Sequence, residues 1–220
     1  MEYFLNLVII FTSFLIFFIF KKSRSYVSKR GLVLLTLLVF LVFTKTVAVG
    51  DLSLIGFRLD NFSEELLPLL IFTFMGIVIL FTMRFKEKKF KVVSWAVSLV
   101  ILYLTFGVIQ QIFFQSIFTH TLNGLLEDRT LTIIFSSVFY SSFHWGWDVK
   151  GIKFGLLTLF AGAVWSLLFL SGSNVIMLGL SHAVLASIYY FVVYEDNVLE
   201  ERLFLKESKG LLKLIFQKHA

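Results

Sequence analysis

The chain has 220 residues, 58% of them hydrophobic, with 28 Phe, one Pro, no Cys and a formal net charge of +6. Only 15% are charged and these are bunched between apolar runs, which excludes a soluble globular domain and calls for a polytopic membrane protein. Without Cys there is no disulfide framework, thiolate nucleophile or Cys-based zinc site. Basic residues that flank apolar runs read as orientation signals, not as a nucleic-acid surface.

Crossing about 30 Å of hydrocarbon takes about 20 apolar residues. By that measure spans are predicted at 4–20, 31–49, 67–83, 92–118, 130–147, 153–170 and 174–194. No basic residue precedes the first, and Ser23-Arg24-Ser25 after it lies among basic residues, so the segment reads as a helix and not as a cleaved signal. The loops alternate in charge. Residues 21–30 carry Lys21, Lys22, Arg24, Lys29 and Arg30, and 84–91 carry five more basic groups against Glu87. Between them, 50–66 sets Arg58 against Asp51, Asp60, Glu64 and Glu65. Further on, 119–129 holds Glu127, Asp128 and Arg129, and 148–153 holds Lys150 and Lys153 against Asp148. Basic loops on one side orient the chain N-terminus outside and C-terminus cytoplasmic; the membrane is expected to be a bacterial cytoplasmic one.

Lys45, near the end of the second span, is expected to snorkel to the headgroups, and Trp95, Trp145 and Trp147 to join aromatic belts. Residues 197–220 mix Leu, Ile and Phe with Lys206, Lys209, Lys213 and Lys218, the pattern of an interfacial amphipathic helix on anionic lipid. The expected fold is therefore all-α: a bundle of about seven transmembrane helices over 1–196, plus a C-terminal amphipathic helix. The lipid bilayer is its first partner.

The polar residues inside the spans point to a site. Gln110, Gln111 and Gln115 place three amides within six residues of an apolar run, and a polar group without a partner there costs several kcal/mol. The other strongly polar side chains well inside predicted spans are His144 and His182. On an α-helix Gln111 and Gln115 share a face, with Gln110 turned about 100° away. At 1.5 Å per residue, Gln110 and His182 lie about 12 Å down from the outer ends and His144 about 21 Å, so the three can meet near the bilayer middle. Taken singly, each has a plainer reading: the amides as interhelical glue, the imidazoles bonded to Ser136, Ser137, Ser141, Ser142 or Ser181. Two His without a carboxylate or Cys make a poor metal-ligand set.

Three segments between about residues 90 and 190 resemble the motifs of the CPBP family of intramembrane proteins (CAAX-prenyl proteases and bacteriocin-processing proteins, also called Abi). Gln110-Gln111-Ile112-Phe113-Phe114-Gln115-Ser116 keeps the spacing and the Phe of Glu-Glu-x-x-Phe-Arg-Gly but replaces both acids and the base. Tyr140-Ser141-Ser142-Phe143-His144 is similar to Phe-x-x-x-His, with Tyr for Phe. His182-Ala183-Val184-Leu185-Ala186 resembles His-x-x-x-Asn, with Ala186 where the family has Asn. The stretch from Phe160-Ala161-Gly162 through Ser171-Gly172-Ser173 resembles the approach to that last motif.

The resemblance implies a catalytic site at Gln110, His144 and His182, with Gln111, Phe114, Gln115, Tyr140 and Ala186 as the degenerate remainder, and no cofactor or metal. In the family, the acid and the second-motif His activate a water, and the third-motif His and Asn stabilise the oxyanion. Gln cannot take a proton and Ala donates nothing, so the chemistry does not carry over with the positions. The leading expectation is thus a catalytically deficient member that binds a membrane-protein or peptide partner in the old cavity. An active intramembrane endopeptidase with a reduced Gln/His site is the alternative, and a small transporter the second alternative.

Overall fold

The computed structural model describes residues 2–22, 37–41, 44–46, 50–58, 60, 62–84 and 96–189, all of them helix, turn or loop. In chain order the long elements are α1 (Glu2–Lys22), α2 (Phe62–Arg84), α3 (Ala96–Gln111), a π-helical segment (Ile112–Thr119), α4 (His120–Leu126), α5 (Arg129–His144), α6 (Val149–Leu170) and α7 (Val175–Ile188). The predicted tail helix at 197–220 and Trp95 lie outside the described residues.

The all-α class stands, but the count of about seven spans does not. Among the described residues three stretches are helical, long and apolar enough to cross a membrane: Tyr3–Lys21, Ser63–Thr82 and Gly151–Leu170. Apolar runs outlast the helices that occupy them. The run predicted as a span at 92–118 stops being α-helical at Gln111, where the turns widen. Within 130–147 the helix has 16 residues and within 174–194 it has 14 described ones, which at 1.5 Å per residue reach about 24 and about 21 Å. Of 31–49, the described parts are helical at 37–41 and 44–46. Lys45 is buried within the protein, at 4% exposure, where the sequence reading had it reaching for headgroups.

Helix ends follow the polar residues between the runs. Asp128 accepts from the Leu131 N–H at 2.9 Å and starts α5; Asp148 accepts from Gly151 N–H at 2.9 Å and starts α6. Asn174 accepts from Ile176 N–H at 2.8 Å and starts α7, while its amide nitrogen donates to the Arg58 carbonyl. The Val175 N–H donates to the Gly56 carbonyl at 2.8 Å, so the loop before α2 is tied to the head of α7. Asp51 caps the short 3-10 turn Leu52–Ile55, and the Ser53 N–H on its carboxylate holds it below the usual carboxylate range.

Two packing features place the functional region. First, α3 crosses α7 at Gly107 and Gly179. A Cβ on Gly107 would lie 2.7 Å from the Gly179 carbonyl oxygen, and one on Gly179 would lie 2.6 Å from the Val108 Cα. Small residues let the two backbones touch, the usual way membrane helices gain dispersion contact. Second, many of the phenylalanines form one aromatic cluster joining α1, the π-helical segment and α5. Phe118 stacks on Phe139 at 3.9 Å between centroids, and Phe14, Phe17, Phe113, Phe114 and Phe143 meet it edge-on or tilted.

Candidate functional site

The α3–α7 crossing sets Gln111, the last residue of α3, beside His182 on α7. Gln111 Nε2 lies 3.3 Å from His182 Nδ1, and Gln111 is wholly buried. On its other side His182 Nε2 lies 3.2 Å from the Tyr140 hydroxyl. Both ring nitrogens of His182 are therefore engaged, by an amide from one motif and a phenol from another. Trp165 of α6 covers the imidazole, with centroids 4.9 Å apart and planes inclined by 31°. Tyr140 is buried on α5 against Phe114, at 4.7 Å, and against Trp165, at 5.6 Å.

His144 lies one turn after Tyr140 on the same face of α5, its ring 5.0 Å from the Tyr140 ring and 5.3 Å from Phe154. Its Nε2 is buried and has no hydrogen-bond partner among the described residues; the same is true of Gln110 Oε1 and Gln111 Oε1. A buried acceptor left without a partner costs on the order of 1–3 kcal/mol.

These side chains surround a cavity of ≈ 1090 Å³ enclosed by α1, α2, α3, α5, α6 and α7. Gln110, Phe114, Tyr140, His144, His182 and Ala186 all line it, so residues from the three motifs, far apart in sequence, face one space. Gln111 does not line it and is linked to it through His182. Gln115 does not line it either: it is 1% exposed inside the π-helical segment, and its Oε1 lacks a partner among the described residues. Lys21 lines the cavity too, and its ammonium donates to the Trp145 carbonyl at 3.0 Å. Among the described residues no three His, Asp or Glu side chains cluster as a metal site would need.

Of the serines expected as plain partners for the imidazoles, Ser136 Oγ is buried with no partner among the described residues and the other four serve other groups. Ser141 donates to the Gly155 carbonyl, Ser142 to Phe139 and Ser137 to Ile134. Ser181 pairs with Thr73 of α2 at 2.7 Å and accepts from the Trp165 indole N–H at 3.3 Å. This Thr73–Ser181–Trp165 link, which steadies the ring lying over His182, is what the sequence left unseen. Trp165 is one indole in a long apolar run, with nothing local to mark it.

The model of the family described as "Type II CAAX prenyl endopeptidase Rce1-like" matches residues 91–188, from before α3 to the end of α7. No curated protein and no solved structure matches the chain. The matched stretch runs from before Gln110 to beyond His182, the two ends of the amide–imidazole cluster, so over this part of the chain a CAAX/Rce1-like protease family domain is matched.

Proposed function

We propose that the protein is an intramembrane endopeptidase of the CAAX-protease kind working with a reduced Gln/His site, in which His144 is the base. One observation carries this reading: His144 Nε2 and Gln110 Oε1, both buried and without a hydrogen-bond partner among the described residues, belong to side chains that line one cavity. A water has two O–H bonds, and this pair of acceptors suits it. Gln110 Oε1 takes one hydrogen bond and orients the molecule; His144 Nε2 takes the proton from the other. The oxygen lone pair then adds to a peptide carbonyl carbon as the C=O π pair moves onto oxygen. On collapse the C–N bond breaks and His144 returns its proton to the leaving amine, giving an acid and an amine.

An imidazole is a competent base near neutral pH, so the missing carboxylates slow this chemistry without removing it. A pseudoprotease that only binds a membrane-protein or peptide partner is the second reading, favoured by the loss of both acids and the Arg together. It gives no account of why His144 Nε2 is kept buried with no partner among the described residues. The test is cleavage of model transmembrane substrates by the protein in liposomes. Turnover lost in His144→Ala supports hydrolysis; substrate that binds in the cavity and is never cut supports the second reading.

A further inference from the structure

We infer that Thr73 is a positioning residue for this site: through Ser181 it fixes the Trp165 indole against the rings of His182 and Tyr140, and so makes the placing of the His144 base depend on α2. The inference rests on the endopeptidase reading above. The hydrogen bonds along the link run one way. An indole N–H only donates, so Ser181 Oγ accepts from Trp165 Nε1 at 3.3 Å. A carbonyl only accepts, so the Thr73 hydroxyl gives its hydrogen to Leu69, a turn back on its own helix, at 2.7 Å. The 2.7 Å contact between Ser181 Oγ and Thr73 Oγ1 is therefore a donation from Ser181. Trp165 of α6 gives to Ser181 of α7, Ser181 to Thr73 of α2, and Thr73 to the Leu69 carbonyl. Each hydroxyl accepts a bond and donates a bond, an arrangement in which chained hydrogen bonds polarise and strengthen one another.

Trp165 passes its placing on to the reacting groups. Its ring lies 4.9 Å from that of His182 and meets Tyr140 edge-on at 5.6 Å. The Tyr140 ring lies in turn 5.0 Å from that of His144. Phe72, next to Thr73 in the chain, meets the indole edge-on at 5.8 Å, so α2 holds Trp165 through a ring and through a hydrogen-bonded link. This ties the site to one wall of the cavity: Phe72 and Leu80 line it, while Leu70, Phe74 and Val78 of the same helix are exposed. Among the described residues of α2 after Glu65 the hydroxyls are those of Thr73 and Thr82, and Thr82 bonds Ile79 of α2 itself. Thr73 is thus the hydroxyl with which α2 reaches another helix. Pro68, before Thr73 in the same helix, removes a backbone hydrogen bond and gives α2 a place to bend. A substrate pressing on Phe72 therefore bears on the base through Trp165 and Tyr140.

The experiment is a double-mutant cycle on the liposome-reconstituted full chain with a model transmembrane substrate, read by kcat and KM and by the indole N–H resonance of Trp165, assigned by its loss in Trp165→Phe. Thr73→Val keeps the shape and removes the hydroxyl; it is expected to lower kcat about tenfold or more, the cost of a slightly misplaced reacting group, with KM nearly unchanged. The Trp165 resonance is expected to move in the same variant, and Thr73→Ser, which keeps a hydroxyl, is expected to hold both readouts at their wild-type values. Ser181→Ala breaks the link from α7 and is expected to match Thr73→Val, so it decides the matter where Thr73→Val does not fold. In Trp165→Phe, which has no N–H to hold, adding Thr73→Val or Ser181→Ala is expected to lower kcat no further. Fully additive losses, an unmoved indole resonance, or an unchanged kcat in these variants while the wild type cleaves overturns the inference and leaves the endopeptidase reading standing. A wild type that never cleaves overturns both.

Discussion

His182 is held at both ring nitrogens, by Gln111 and Tyr140, whereas His144 faces the same cavity with a buried Nε2 that has no partner among the described residues. The two imidazoles thus differ in what they are free to do. One is held in place by neighbours at both nitrogens; the other has a ring nitrogen that no described residue engages.

That difference predicts opposite mutant phenotypes. His144→Ala is expected to abolish cleavage while shifting thermal unfolding in detergent little, because few interactions are lost. His182→Ala strips partners from a buried amide and a buried phenol and leaves a void under Trp165, so it is expected to destabilise by about 2–5 kcal/mol. Unfolding curves of the two variants, compared directly, check this.

The Gly107–Gly179 crossing is expected to tolerate no side chain. Gly179→Val would drive its Cβ into the Val108 backbone, which cannot yield as a flexible side chain can. The helices would have to separate, at a cost of about 1–3 kcal/mol or more, and Gln111 would be withdrawn from His182. A lowered unfolding midpoint together with loss of the His182 NMR signature of the wild type is the expected result.

Restoring the family's charges one at a time should give unequal results. Gln110→Glu faces the cavity that His144 also lines and supplies a proton acceptor, so cleavage is expected to rise by about 10²-fold or more. Gln115→Arg, at a site 1% exposed and away from the cavity, buries an unpaired cation and is expected to destabilise by about 3–5 kcal/mol. Activity assays on the first and unfolding midpoints on the second separate the two cases.

The cap at the head of α7 gives a milder test. Asn174→Ala removes the acceptor of the Ile176 N–H and the amide that donates to the Arg58 carbonyl. A loss of about 1–2 kcal/mol is expected, read as a lower unfolding midpoint, with the His144-dependent activity retained.

How much of this could be read from sequence depended on distance along the chain. The amides at 110, 111 and 115 were conspicuous because polar groups inside apolar runs are costly, and Gln110, His144 and His182 do line one cavity. The division of labour within the trio was partly visible as well: Gln110 points one way, and Gln111 and Gln115 are buried elsewhere. Helix lengths were not legible. Hydropathy records where a residue is comfortable and is silent on whether the backbone there keeps an α-helical turn, so the widening after Gln111 went unseen and the spans were overcounted. Trp165 and Thr73 were hidden for a related reason. Their roles arise from contacts across α2, α6 and α7, and neither has a sequence neighbour that signals them.

The central claim is that the imidazole at position 144 performs hydrolysis inside the membrane. The most direct measurement is mass-spectrometric detection of cleavage products from a model transmembrane substrate in liposomes, comparing the wild type with His144→Ala. Slow, stoichiometry-exceeding cleavage by the wild type and none by His144→Ala is the predicted result. Equal product from both proteins, or none from either, would contradict it.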